Sequence, residues 1–299
     1  MTAIFSVLIG LLSISLEQGL SYGIMALGVY ITFKVLDFPD LTVEGSFPLG
    51  ASVTAVLVAG GFNPFLALFV SMLAGMAAGG ITGILNTKGH ITGLLAGILT
   101  MTALYSINLR IMGRSNISLL NIDTVLTSVE NLGVPHGVVA ITTFAIAVVI
   151  IKLLLDALLK TRLGFSLRAT GNNANMARAL GVNTDAMKVF GLALSNGLVA
   201  LSGGLVAQYQ GFADVGMGIG TIVAGLASVI IGEMIMGERN IGYATMSALV
   251  GSFIYRLSIA IALRLGFAAT DLKLLTTILV IIALTTPQIR KIIKVSSTS

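Results

Sequence analysis

The sequence contains no cysteine. A disulfide framework, a thiolate metal site and a cysteine nucleophile are therefore excluded. Histidine is almost as scarce, since His90 and His136 are the only two, too few for a histidine-rich metal site. Charge is the third shortage. Only 10% of the residues are charged, where an ordinary globular protein carries roughly 25%. With 56% of its residues hydrophobic, a soluble chain of this length could not hide its apolar surface. Other absences bear on function. No G-x-x-x-x-G-K-[ST] phosphate loop occurs, and the only lysine followed by Ser or Thr, Lys160-Thr161, has Leu159 before it. The chain is thus not expected to hydrolyse ATP, and no catalytic residue is assigned. No series of Asp, Glu or His runs through the apolar stretches, as a proton relay would require. The opening MTAIFSVLIGLLSIS lacks a basic start, so it reads as a retained first span or interfacial helix rather than a cleaved signal.

What is present is a succession of apolar runs. Crossing the hydrocarbon core takes about 20 apolar residues in a helix. The candidates are 3–15, 17–34, 46–61, 64–86, 91–112, 137–159, 187–210, 218–236, 240–264 and 272–289. The expected fold is all-α, a single polytopic membrane domain over 1–299 with about nine or ten transmembrane or re-entrant helices. The segments 46–61 and 218–236 are Gly-rich beside polar turns and suit broken or re-entrant helices, which need cover from protein or water. Small residues recur at helical spacing in Gly75/Gly79/Gly83, Gly89/Gly93/Gly97 and Gly19/Gly23. Such series let helix backbones approach closely, either as fixed packing or as surfaces that slide.

The net charge of +5 fits the positive-inside rule better than nucleic-acid binding, because the cations are scattered between apolar spans. A cytoplasmic 161–187 loop puts Lys34, Lys88, Lys160, Arg162, Arg168, Arg178, Lys188, Arg239, Arg290, Lys291 and Lys294 inside. Arg110, Arg114 and Lys273 then fall outside or at the outer interface. Within that loop Asn172 or Asn173 can cap a short helix over Ala174–Leu180, and Gly181 suits the left-handed position that ends it. A helix of about two turns is unstable alone in water, so it must lie on the membrane domain or dock elsewhere.

Polar groups at membrane depth mark a candidate substrate path. The segment 37–50, DFPDLTVEGSFPLG, carries three carboxylates and two prolines. It is either an exposed loop or a broken element dipping toward the path, with Asp40, Thr42 and Glu44 beside it. Asn86, Asn108 and Asn196 are further candidates, with Ser195, Ser202 and Gln208 near them. Glu17 and Glu233 read as structural carboxylates. Lys152, Asp156 and Lys160 read as a surface ladder at helical spacing, and Arg256 as a side chain snorkelling outward.

The run LRATGNNANMARALGVN over 167–183 resembles the cytoplasmic motif of ABC importer permeases of the branched-chain amino acid and ribose type. The similarity continues through Lys188, a Ser202-Gly203-Gly204 break and the Gly-rich run from Gly216 to Gly232. The run 37–51 resembles an early segment of the same permeases, in wording close to a subgroup linked with aromatic amino acids, tryptophan especially. Two departures are Met176-Ala177-Arg178 in place of a commoner Ala-Ala pair, and Glu233 where many relatives have Gly. The resemblance implies a homodimer in the cell membrane, two cytoplasmic ABC ATPases that use ATP and Mg, and an external substrate-binding protein. It also implies that the helix near Asn172–Gly181 is a coupling helix seated in the ATPase. Arg168, Gly171, Asn172, Asn173, Ala177, Arg178, Ala179 and Gly181 would serve that contact. An amino acid would move inward by alternating access, and no cofactor or metal would be bound by this chain. From the residues alone, an ion-coupled secondary transporter of a small organic solute is the alternative.

Overall fold

A computed structural model describes residues 2–237 and 239–267 and scattered positions between 271 and 285, with side chains from residue 10 onward. The span expected at 272–289 falls largely outside these residues, as do Lys273, Arg290, Lys291 and Lys294.

The first helix, α1, runs Thr2–Tyr30 and widens into a π turn at Ile31–Val35. The segments expected at 3–15 and 17–34 are therefore one helix. Glu17, between them, does not break it because its carboxylate is satisfied sideways. It accepts hydrogen bonds from Tyr209 at 2.6 Å and Ser13 at 3.3 Å. After a non-helical stretch come α2 (Val43–Ala59), α3 (Pro64–Thr87) and α4 (Gly93–Met112). Beyond these lie β1 (Asn116–Ser118), α5 (Val125–Glu130), α6 (Val139–Lys160), α7 (Arg162–Asn172) and α8 (Ala174–Ala179). The described chain ends with α9 (Thr184–Gln210), β2 (Phe212–Asp214), α10 (Thr221–Met236) and α11 (Ile241–Arg264). Among the described residues six helices are long and apolar enough to cross a membrane, and the expected nine or ten is not confirmed.

The expected all-α fold has one small exception. β1 and β2 pair antiparallel, with Ile117 opposite Ala213, and their buried side chains join Met112 and Val215 under the loops at one end. Asparagine starts several helices. Asn63, Asn173, Asn183 and Asn240 each accept a bond from a first-turn N–H of α3, α8, α9 and α11, which satisfies donors that have no partner inside the helix.

The interior is built on α9, which packs against α1, α2 and α3. The expected glycine series is a packing device here. A Cβ on Gly75 would sit 2.3 Å from the carbonyl of Asn196, and one on Gly79 2.1 Å from that of Leu192. Gly83 meets the Cα of Val189 in the same way, so α3 lies backbone to backbone on α9. Gly19 does the same for α1 against the Cα of Phe253 of α11, while Gly23 makes room for the Leu249 side chain. The expected break at Ser202-Gly203-Gly204 does not occur. α9 runs through it unbroken, and Gly203 meets the carbonyl of Phe47 on α2.

Segment 46–61 is a regular helix rather than a broken one. At 17 residues α2 is about 25 Å long, short of the hydrocarbon core. Pro48 lies inside it and removes the donor that would serve the Glu44 carbonyl. Asn108 donates to the neighbouring Gly45 carbonyl at 3.2 Å. Segment 218–236 begins as a 3-10 turn at Val215–Gly218 and becomes helical only from Thr221, after Gly220 takes a φ of +84°.

Two charged groups differ from expectation. Asp156 is buried rather than part of a surface ladder. It accepts from Lys152 at 2.5 Å and from Thr245 at 2.6 Å, clipping α6 to α11. Arg256 does not snorkel outward; its guanidinium lies 3.4 Å from the centroid of Tyr22, because the aromatic face gives the cation a partner inside. Glu233 pairs with Lys34 at 2.6 Å.

Candidate functional site

The stretch between the π turn and α2 turns back into the protein. Asp37 is exposed and takes a positive φ of +50°, whereas Asp40 and Thr42 are buried. Glycines of α4 make the room. A Cβ on Gly93 would strike the Phe38 ring, and one on Gly97 would strike the Leu41 backbone. This dipping element, the second of the two alternatives for 37–50, carries Asp40 to Asn196 in the middle of α9. Asn196 donates to Asp40 at 2.7 Å and to the Leu192 carbonyl at 3.0 Å, and the Thr42 N–H donates to the other Asp40 oxygen at 2.9 Å. The hydroxyls of Thr42 and Thr82 bond at 2.8 Å, and Thr82 donates to Thr100 at 2.9 Å. Burying a carboxylate without a cation costs several kcal/mol unless its oxygens find donors. Here two donors serve it, so one cluster ties the dipping element to α3, α4 and α9.

One turn further on, Glu44 and Asn108 reach a cavity of about 340 Å³ between α2, α4 and the 3-10 turn before α10. Met101, Thr102, Tyr105 and Ser106 of α4 complete its wall. The Glu44 carboxylate accepts from Gly220 N–H at 3.0 Å. Gly218 lies so near that a Cβ would be 2.0 Å from the Glu44 carbonyl, which stabilises the start of α10 against α2. The volume falls within the range of small-molecule sites, roughly 300–1,000 Å³. Its walls combine an acid, an amide, hydroxyls and one aromatic ring, a set able to orient a small zwitterion. Asn86 does not join either group. It donates to the Ile91 carbonyl at 2.8 Å and closes the turn between α3 and α4.

α7 and α8 form a second candidate site. The sequence shows only the second of them. α7 forms because Thr161 caps it, accepting from Gly164 N–H at 3.3 Å, and because Gly164, Leu167 and Thr170 share one buried face. Of the two asparagines, Asn173 is the cap of α8 and Asn172 ends α7. Gly181 takes a φ of +84° and donates to Arg178, while Val182 donates to Ala177, a paired ending that requires the left-handed residue.

The expected coupling residues separate into two groups. Gly171 packs on the backbone of Val35 and Leu36, so closely that a Cβ would sit 2.1 Å from the Val35 carbonyl. Ala177 is only 2% exposed. Arg178 donates twice to Thr184, at 2.9 and 3.2 Å, and Arg168 lies over Phe165. Gly171 and Ala177 brace the unit from within, while Arg178 stays exposed and ties α8 to the start of α9. Asn172, Asn173 and Ala179 are on its surface. What sequence reasoning missed is the apolar part of that surface: Phe165 at 67%, Met176 at 62% and Leu180 at 73% exposed. The signal was legible, since Met176 and Leu180 are four apart and share a helix face.

Comparison with known proteins adds an independent line. Residues 11–285 match the family described as branched-chain amino acid transport system / permease component. The tyrosine transport system permease protein of Clostridioides difficile is 46% identical over 278 residues, covering 93% of this chain and 91% of that protein. An uncharacterised protein of Rickettsia prowazekii is 37% identical over 276 residues, 90% and 95% of the two chains. The ribose import permease of Haemophilus influenzae is 28% identical over 192 residues, 62% of this chain and 57% of that one. Among solved structures, a metal-chelate type ABC transporter in an inward-facing conformation shares the fold, with a TM-score of 0.51 and 17% identity. It covers 91% of this chain and 83% of that one.

Proposed function

This chain belongs to the branched-chain amino acid transport system permease family, and from that premise we propose that it carries an aromatic amino acid, tyrosine in the first instance, into the cell. It is a multi-pass membrane protein and a permease subunit of an ABC transport system, not itself an enzyme. The substrate assignment follows the tyrosine permease that is 46% identical over nearly the whole chain. The acidic and aromatic wall of the 340 Å³ cavity agrees with it, with Glu44 set to face an α-ammonium and Tyr105 a ring.

The remaining parts of the proposal concern partners. A cytoplasmic ATPase supplies the energy and seats the α7–α8 unit, an external binding protein delivers the substrate, and a second copy of this chain completes the path. α1 crosses the membrane beside the six long helices. The observation that carries the ATPase contact is the exposed apolar trio Phe165, Met176 and Leu180 on a unit whose opposite face is braced by Ala177 and Gly171. Apolar groups held at a basic, water-facing end call for a partner surface. No observation favours an ion-coupled carrier.

The test is co-reconstitution of the full chain with its ATPase in liposomes, with external binding protein and labelled tyrosine. Uptake should need ATP. The pair Met176→Glu and Leu180→Glu should release the ATPase while the chain still inserts. Glu44→Gln should lower uptake with the ATPase still bound. Uptake driven by an ion gradient without any ATPase would overturn the proposal, and an ATPase that stays bound to the Met176/Leu180 variant would overturn the docking surface.

A further inference from the structure

Arg168 stands between two clefts at the basic end of the molecule. The first, of about 580 Å³, lies under the π turn and includes Lys34, Asp37 and Arg239. The second, of about 660 Å³, opens between the end of α6, α7 and the turn that joins α10 to α11. Lys152 and Lys160 reach it from α6, and Arg168 from α7. Asn240 and Ile241 add the positive end of the 24-residue helix α11. Against these stands Asp156, already bound to Lys152 and Thr245. The Nε of Arg168 is buried and has no hydrogen-bond partner among the described residues. The rim is of a different character: Met236, Tyr243 and Met246 line it, the last two exposed. On the neighbouring face of α6, Ile150, Leu153 and Leu154 are also exposed.

We propose that this second cleft holds the headgroup of an anionic phospholipid from the inner leaflet. The phosphate sits between Lys160, Arg168 and the first turn of α11, and an acyl chain follows Met246 and the apolar face of α6. The charge alone suits any phosphate, since a guanidinium, an ammonium and a helix N-terminus each favour one. The apolar rim, continuous with an apolar helix face, selects the lipid. Basic pockets between membrane helices on the cytoplasmic side are the general setting for such headgroups. The proposal does not depend on which substrate the permease carries.

Native mass spectrometry of the purified full chain tests it, using phosphatidylglycerol and phosphatidylcholine with identical acyl chains. Phosphatidylglycerol adducts should dominate. Lys160→Gln and Arg168→Gln should each lower the phosphatidylglycerol preference about fivefold, the effect of one basic residue near an anionic surface. Lys160→Arg should retain the preference. Lys160 is exposed at a helix end, so its variants are read in a folded protein. Equal adduction of the two lipids, or a preference unchanged in Lys160→Gln, overturns the site. Displacement of phosphatidylglycerol by an equal concentration of inorganic phosphate overturns the lipid and leaves only an anion pocket.

Discussion

Asp40 has no ion pair among the described residues, yet it is buried in the middle of a membrane protein with two donors committed to it. Removing one partner strands the other. Asp40→Ala leaves the Thr42 N–H and one Asn196 N–H unpaired, and each buried orphan costs about 1–3 kcal/mol. Asn196→Ala strands the carboxylate instead. We expect both variants to unfold at lower temperature in detergent. The double variant should lose at least about 1 kcal/mol less than the sum of the two, since groups in one network do not add. A strictly additive double variant would show that the two residues act separately. Asp40, Thr42 and Asn196 are visible in the sequence because each is polar where its neighbours are apolar. Thr82 and Thr100 are not visible. A threonine in a helix can satisfy its hydroxyl on its own helix, as Thr100 does on Ala96, so nothing in the sequence says that the two also meet across helices.

Among the elements, the α3–α9 contact gives the sharpest contrast between neighbouring residues. Gly79 touches the Leu192 carbonyl, whereas a Cβ on Gly80 would meet nothing within 4 Å. Gly79→Ala should destabilise the folded protein by about 1–3 kcal/mol through overpacking. Gly80→Ala should be neutral or stabilising by up to about 1 kcal/mol from helix propensity. Thermal unfolding followed by size-exclusion chromatography separates the two, and equal behaviour would mean that the helices are not in backbone contact. The glycine spacing made this element legible. α7 was not, because its run RLGFSLRATGN holds two glycines and few apolar residues. Its stability comes from tertiary contacts at Gly164, Leu167 and Gly171 rather than from propensity. The division of α1 into two spans failed for a related reason: Glu17 looks like a boundary until Tyr209, far along the chain, is seen to satisfy it.

For the molecule as a whole, orientation decides which end meets the ATPase and which the binding protein. The cations Lys34, Lys152, Lys160, Arg168 and Arg239 collect around two clefts at one end, and the β1–β2 pair lies in the loops on the opposite side. The absence of cysteine makes this directly measurable. A single Ser118→Cys at the end of β1 should react with a membrane-impermeant maleimide applied to intact cells. Leu180→Cys at the end of α8 should react only after the membrane is opened. Reaction of Leu180→Cys in intact cells would invert the topology.

The backbone contact of α3 on α9 also limits how this permease can move. With Gly75, Gly79 and Gly83 pressed on the opposite carbonyls and Cα, neither helix can slip along the other without its Cα atoms climbing over main-chain atoms. α2 joins the pair through Gly203 against the Phe47 carbonyl and Gly50 against Ala200. The three helices form a stator. α4 stands at the edge of this unit, held to it through Thr100 and, by way of the dipping element, through Gly93 and Gly97. It closes one wall of the 340 Å³ cavity while leaving most of its own outer face unpacked.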